Sequence, residues 1–175
     1  MTPILRCAAV AAMGLWLSGC KPAAQVQIPS PPPPGPTAQE RLAAIEAAAG
    51  VDDTELDVQP LRDPQVADLR EQAARVRARG DAAAAAAALD LALRIAPDDP
   101  TLLQERAEAA LLQGDPAQAG VLARRAYELG SRVGPLCRRH WATIEQAALA
   151  GGRAADAASA RDQIGACTVP GLKRM

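Results

Sequence analysis

Residues 66–99, VADLREQAARVRARGDAAAAAAALDLALRIAPDD, can be laid without a gap over residues 100–133, PTLLQERAEAALLQGDPAQAGVLARRAYELGSRV. Leu69 then meets Leu103, Glu71 meets Glu105 and Ala73 meets Ala107, while Ala83, Ala85 and Ala92 meet Ala117, Ala119 and Ala126. Gly80-Asp81 falls on Gly114-Asp115, a coincidence that a high alanine content does not produce by itself. Each window holds one alanine- and leucine-rich segment on either side of its Gly-Asp pair, so the repeated unit reads as two helices joined by a tight turn.

Local punctuation extends this reading along the chain. Asp63-Pro64, Asp99-Pro100 and Asp115-Pro116 each join a good N-cap to the residue best tolerated at the first helical position. Gly80, Gly114, Gly130 and Gly151-Gly152 mark helix ends. The signals predict helices near 64–79, 82–95, 100–113, 116–129, 135–150 and 153–164, with sequential neighbours antiparallel because the connections are short. Thr37 and Glu40 have the form of a capping box, and Gly50 a stop, so a further short helix is predicted over 38–49.

The 175 residues include 42 alanines and no phenylalanine. Alanine is the best helix former and carries little surface to bury, so closely approached helices are expected and a β-rich fold is excluded. The expected fold is all-α, with antiparallel helix-turn-helix hairpins stacked as a short solenoid of about three units, since one hairpin cannot cover its own apolar face. A net charge of −1 removes the electrostatic basis for nucleic-acid binding.

The period and its residues resemble the tetratricopeptide (TPR) repeat. Ala73, Ala85, Ala92 and Pro97 of the first unit fall on that family's small, small, small and proline positions, with Gly80-Asp81 at the turn. The second unit supplies Ala107, Gly114-Asp115, Ala119 and Ala126, with Ser131 in place of the proline. Trp141, Gly152 and Ala157 match a third unit displaced by four residues, with Glu145 where a small residue is expected. The resemblance implies a concave surface lined by the first helix of each unit, here offering Arg70, Arg77, Gln104, Glu108, Arg139 and Gln146 to a peptide or helical partner.

The amino-terminal part reads as an address. Arg6 precedes an apolar run from Cys7 to Leu17, which is too short to span a bilayer and suits a secretory signal. The run ends in Leu17-Ser18-Gly19-Cys20, which resembles the lipobox of bacterial lipoproteins and implies cleavage before Cys20 and its lipidation. Several acyl chains on one residue give a durable anchor. By resemblance to the enterobacterial sorting pattern, Lys21 implies the periplasmic face of the outer membrane, with the inner membrane the alternative. Seven prolines between Pro22 and Pro36 predict an extended tether, the stretch to Thr37 reaching on the order of 50 Å. Between Glu40 and Asp63, seven acidic residues against Arg41 and Arg62 describe an acidic arm, read as solvated or as a docking segment. The expected organisation is a signal peptide over 1–19, lipidated Cys20 and tether over 20–36, a short helix and acidic linker over 37–63, the helical domain over 64–167 and a tail over 168–175.

With Cys7 removed and Cys20 lipidated, Cys137 and Cys167 remain in an oxidising compartment. They lie at the same open end of the last predicted hairpin, so a disulfide is expected. Cys137, Trp141, Ile144 and Ala148 form a stripe facing Ala157, Ile164 and Cys167, and Tyr127 is expected beside this core. His140, three residues after Cys137, raises a Cys-His nucleophile pair or a metal site, but both need free thiols. It is therefore read as a surface histidine, and no enzyme activity, cofactor or metal is expected. Arg124, Arg125, Arg132, Arg138 and Arg139 form a basic cluster open to an acidic partner, anionic headgroups, the cell wall, the acidic arm or plain solvent. The functional expectation is a membrane-anchored periplasmic scaffold that binds another envelope protein. Members of this general type serve in outer-membrane assembly, cell-wall synthesis or pilus biogenesis. The alternative is a structural spacer or wall-associated lipoprotein without a dedicated groove.

Overall fold

The computed structural model describes residues 35–50 and 63–168. The signal sequence, Cys20, most of the tether, the acidic linker over 51–62 and the end of the tail lie outside the described residues. Seven helices and no strand occur among those described: α1 (Ala38–Ala49), α2 (Pro64–Ala78), α3 (Ala82–Ile95), α4 (Pro100–Leu112), α5 (Pro116–Leu129), α6 (Gly134–Ala150) and α7 (Ala154–Ala166). None is long and apolar enough to cross a membrane.

The starts form as the Asp-Pro chemistry dictates. Asp63 accepts from the backbone of Gln65 at 2.8 Å, Asp99 from Thr101 at 2.8 Å and Asp115 from Gln118 at 2.9 Å. Thr37 and Glu40 close a reciprocal capping box at the start of α1.

α2 with α3, α4 with α5 and α6 with α7 make three antiparallel hairpins, and successive hairpins stack through α3 on α4 and α5 on α6. The three turns within hairpins are built alike. Asp81 N–H donates to Val76 O at 3.0 Å, Asp115 N–H to Ala110 O at 2.9 Å, and Arg153 N–H to Ala148 O at 2.9 Å. Each encloses a glycine with positive φ, at +84° for Gly80, +77° for Gly114 and +71° for Gly152. These are Schellman closures, in which the left-handed residue lets the chain reverse while capping the last carbonyls. The third hairpin thus turns as the first two do, although Arg153 supplies no side-chain cap.

Three of the four alanine pairs matched between residues 66–99 and 100–133 are packed in the interior, while Ala83 and Ala117 are exposed. Ala73, Ala107, Ala85, Ala119, Ala92 and Ala126 are all buried, because small side chains let facing helices approach closely. The first core gathers Val66, Leu89 and Leu102 with these alanines of α2 and α3, and another gathers Ala107, Ala123, Ile144 and Ala160 beside Trp141. Tyr127 packs against Trp141 with ring centroids 4.8 Å apart, and the Arg132 guanidinium lies 4.2 Å over the Tyr127 ring.

α1 lies against α6 and α4. Ile45 is wholly buried in a core shared with Ala110, Leu111, Ala142 and Ala147, flanked by Leu42 and Ala48. The part of the acidic arm that forms α1 is therefore docked rather than solvated. A 12-residue helix is marginal alone in water, so this packing is what holds it.

A candidate interaction face on the first helices of the hairpins

The six residues expected to line a groove sit on α2, α4 and α6, and the structure joins most of them to one another or to near neighbours. Glu108 is the hub. Its carboxylate accepts from Arg139 through Nε at 2.5 Å and Nη2 at 2.7 Å, from Arg77 at 3.3 Å and from the Gln104 amide at 2.9 Å. Gln104 Nε2 also donates to Thr143 Oγ1 at 2.6 Å, and Thr143 in turn donates to the Arg139 carbonyl at 2.9 Å. Three helices are thereby tied across their shared contact by a connected polar network.

Burial within this set is uneven. Gln104 and Glu108 are wholly buried, so they organise the interior and do not line an open surface. Arg70, Arg77 and Arg139 keep 24%, 36% and 26% of their side chains exposed, and they are what the face presents to solvent. Arg70 forms a two-pronged ion pair with Glu105, whose hydrogen bond favours its charged form more than burial opposes it. Burial alone would lower the pKa of Arg139, but the hydrogen bond and charge of Glu108 outweigh it and raise it. Gln146 lies under α1, accepting from Arg41 at 3.4 Å through both its carbonyl and its side chain.

His140 is a correction to the surface reading. Its side chain is wholly buried between α6 and α4, with Nδ1 2.7 Å from Gln104 Oε1. Burial first, and the positive Arg139 second, push its pKa down to about 4. Cys137 and Cys167 are joined by a disulfide with their Cα atoms 5.7 Å apart, so neither thiol is available to His140 as nucleophile or ligand. Among the described residues no cluster of three His, Cys, Asp or Glu side chains could hold a metal ion.

The basic cluster does not act as one patch. Arg125 pairs with Asp98, Arg132 covers Tyr127 and donates to Glu128 O, Arg139 serves Glu108, and Arg138 donates to the Ala49 carbonyl at 2.8 Å at the end of α1. Arg124 is exposed on α5. Of the partners open to these arginines in the sequence, the acidic arm is thus one that the structure supplies, through its helix end. Glu145, at the position where a small residue was expected, is buried and paired with Arg161 of α7.

Fold and face together define a helical domain of three stacked hairpins, bound by an internal polar network and showing half-exposed arginines along one row of helices. No family model and no curated protein matches the chain. Among solved structures it is similar to the globular C-terminal domain of P. aeruginosa LpoP, at 36% identity and a TM-score of 0.57, over 60% of this chain and 99% of that one. The chain belongs to the family of the LpoP C-terminal domain.

Proposed function

We propose that this chain is a lipid-anchored protein of the bacterial cell envelope whose helical domain binds another envelope protein. The observation that carries the reading is the match over almost the whole LpoP domain at 36% identity. In LpoP the globular domain stands at the C-terminal end. The same order is read here, with a lipobox-like Leu17-Ser18-Gly19-Cys20, a proline-rich tether and a helical head. Lipidated Cys20 would hold the chain on the periplasmic face of the outer membrane, and the TPR-like row of first helices would meet the partner. Of the six residues expected to line that row, Arg70, Arg77 and Arg139 keep both charge and exposure, and arginine is favoured in protein contacts for its flat, multiply donating head.

In-cell crosslinking of the full lipoprotein, followed by mass spectrometry, tests the proposal. One envelope protein should be captured by the wild type, and its yield should fall with Arg77→Glu while helix content stays intact. Retention on intact cell-wall material that high salt abolishes, unchanged by Arg70→Glu or Arg77→Glu, would instead support a wall-associated spacer.

A further inference from the structure

We propose that the face of α4 and α6 beneath α1 is a helix-binding surface, that α1 is its resident ligand, and that an amphipathic helix of a partner protein takes α1's place. The inference rests on the protein-binding reading above and names the chemistry of what is bound.

The template for the partner is α1 itself. Leu42, Ile45 and Ala48 stand at i, i+3 and i+6, one apolar stripe, with only Ile45 of the helix buried. Glu46 follows the central apolar residue and lies near enough to favour the Arg139 cation. The carboxyl end is received from outside: Arg138 Nε donates to the Ala49 carbonyl, a cation meeting the negative end of a helix dipole. Leu-x-x-Ile-Glu-x-Ala, ending within a turn against Arg138, is thus the pattern that the face reads.

Three features make α1 exchangeable. The three hairpins stack through α3–α4 and α5–α6, so the solenoid is closed without it. The surface beneath is largely alanine, Ala110, Ala142 and Ala147 beside the single leucine Leu111, and exposes modest apolar area when bared. The hold itself is one fully buried large side chain and a few hydrogen bonds, two of them at 3.4 Å, the kind of contact that opens locally before the whole domain unfolds.

The test uses the full chain and a fluorescent synthetic peptide of residues 37–50. Ile45→Asp should release α1 and bind the peptide at least tenfold more tightly than wild type, and a peptide carrying the same change should not bind. Should Ile45→Asp lose its helical circular dichroism, Leu42→Ser at a half-buried contact gives the same readout. A folded variant that binds no more peptide than wild type overturns the proposal, as do α1 amides in the wild type as protected from exchange as those of α4. A dimer exchanging α1 between copies would give the face to a second copy and also overturn it. Peptide binding and cellular capture are separate readouts, so failure of one does not mimic failure of the other.

Discussion

His140 Nδ1 donates to Gln104 Oε1 at 2.7 Å across the α4–α6 contact, with both side chains wholly buried. The direction follows from Gln104, whose amide nitrogen is already donating to Glu108 and Thr143 and so leaves its oxygen as acceptor. Nε2 then carries the lone pair. It faces Gly130 and, among the described residues, has no hydrogen-bond partner. A second proton would sit there without an acceptor and close to Arg139, which is why the ring stays neutral.

Acid sensitivity follows. The folded-state pKa of His140 is about 4 against 6.5 ordinarily, so between those values the unfolded chain binds the extra proton. The contribution is complete above pH 6.5 and is lost as the pH falls towards 4, by about 3 kcal/mol. Urea unfolding at pH 7 and pH 4 should show the wild type losing that much more stability than His140→Gln. Equal losses in the two proteins would contradict the buried, neutral assignment.

The disulfide closes a sequence separation of 30 residues around the last hairpin. In the chain-entropy model such a loop is worth about 3 to 4 kcal/mol, a large part of the stability of a small domain. Replacing Cys137 and Cys167 together by serine should lower the thermal midpoint by more than 10 °C on the order-of-magnitude scale for a domain of this size. A calorimetric scan reads it directly.

Two acidic residues should respond very differently to removal. Glu108→Ala strands the Arg77 and Arg139 cations and the Gln104 amide, and should cost about 2 to 4 kcal/mol, discounted for the partial exposure of both arginines. Glu71→Ala breaks only the exposed pair with Arg75 within α2 and should cost less than about 0.5 kcal/mol. Chemical denaturation of both variants separates a hub from a solvated pair.

Glycines 120 and 130 offer a steric contrast. A Cβ at Gly130 would lie 2.8 Å from the Ala126 carbonyl and 3.1 Å from both His140 Nε2 and Pro100 Cβ, so Gly130→Ala should destabilise by about 1 to 3 kcal/mol. At Gly120, inside α5, the nearest contact would be an ordinary 3.7 Å to Ala147, and Gly120→Ala should stabilise by about 0.5 to 1 kcal/mol through helix propensity. Thermal melts of the pair give the two signs.

The helix pattern was legible because its signals are local. Asp-Pro starts and glycine stops place helix boundaries within two residues, and α3 and α5 fall at their expected limits, since caps act through neighbouring backbone groups. The burial of His140 was not legible. The stripe of Cys137, Ile144 and Ala148 accounts for one face of α6, but the helix is covered on a second face as well, where His140, Thr143 and Ala147 meet α4 and α1. A central helix in a stack has two inward faces, and an amphipathic reading assigns only one. The seating of α1 was hidden for a related reason. Its stripe of Leu42, Ile45 and Ala48 is thin, and its seat is mostly alanine, which advertises no partner in a chain so rich in it. A usable signal was Gln104 and Glu108 at helical spacing facing Arg139 and Thr143 one hairpin later, a polar set too well matched to be left to solvent.

Site-specific photocrosslinking in living bacteria tests the central claim most directly. A photoreactive residue at position 70, on the arginine-bearing row, should trap one envelope protein as an adduct of a single mass, while the same residue at the exposed position 94 of α3 should trap none. Equal adducts from both positions, or none from position 70 in a folded and exported protein, would contradict the account.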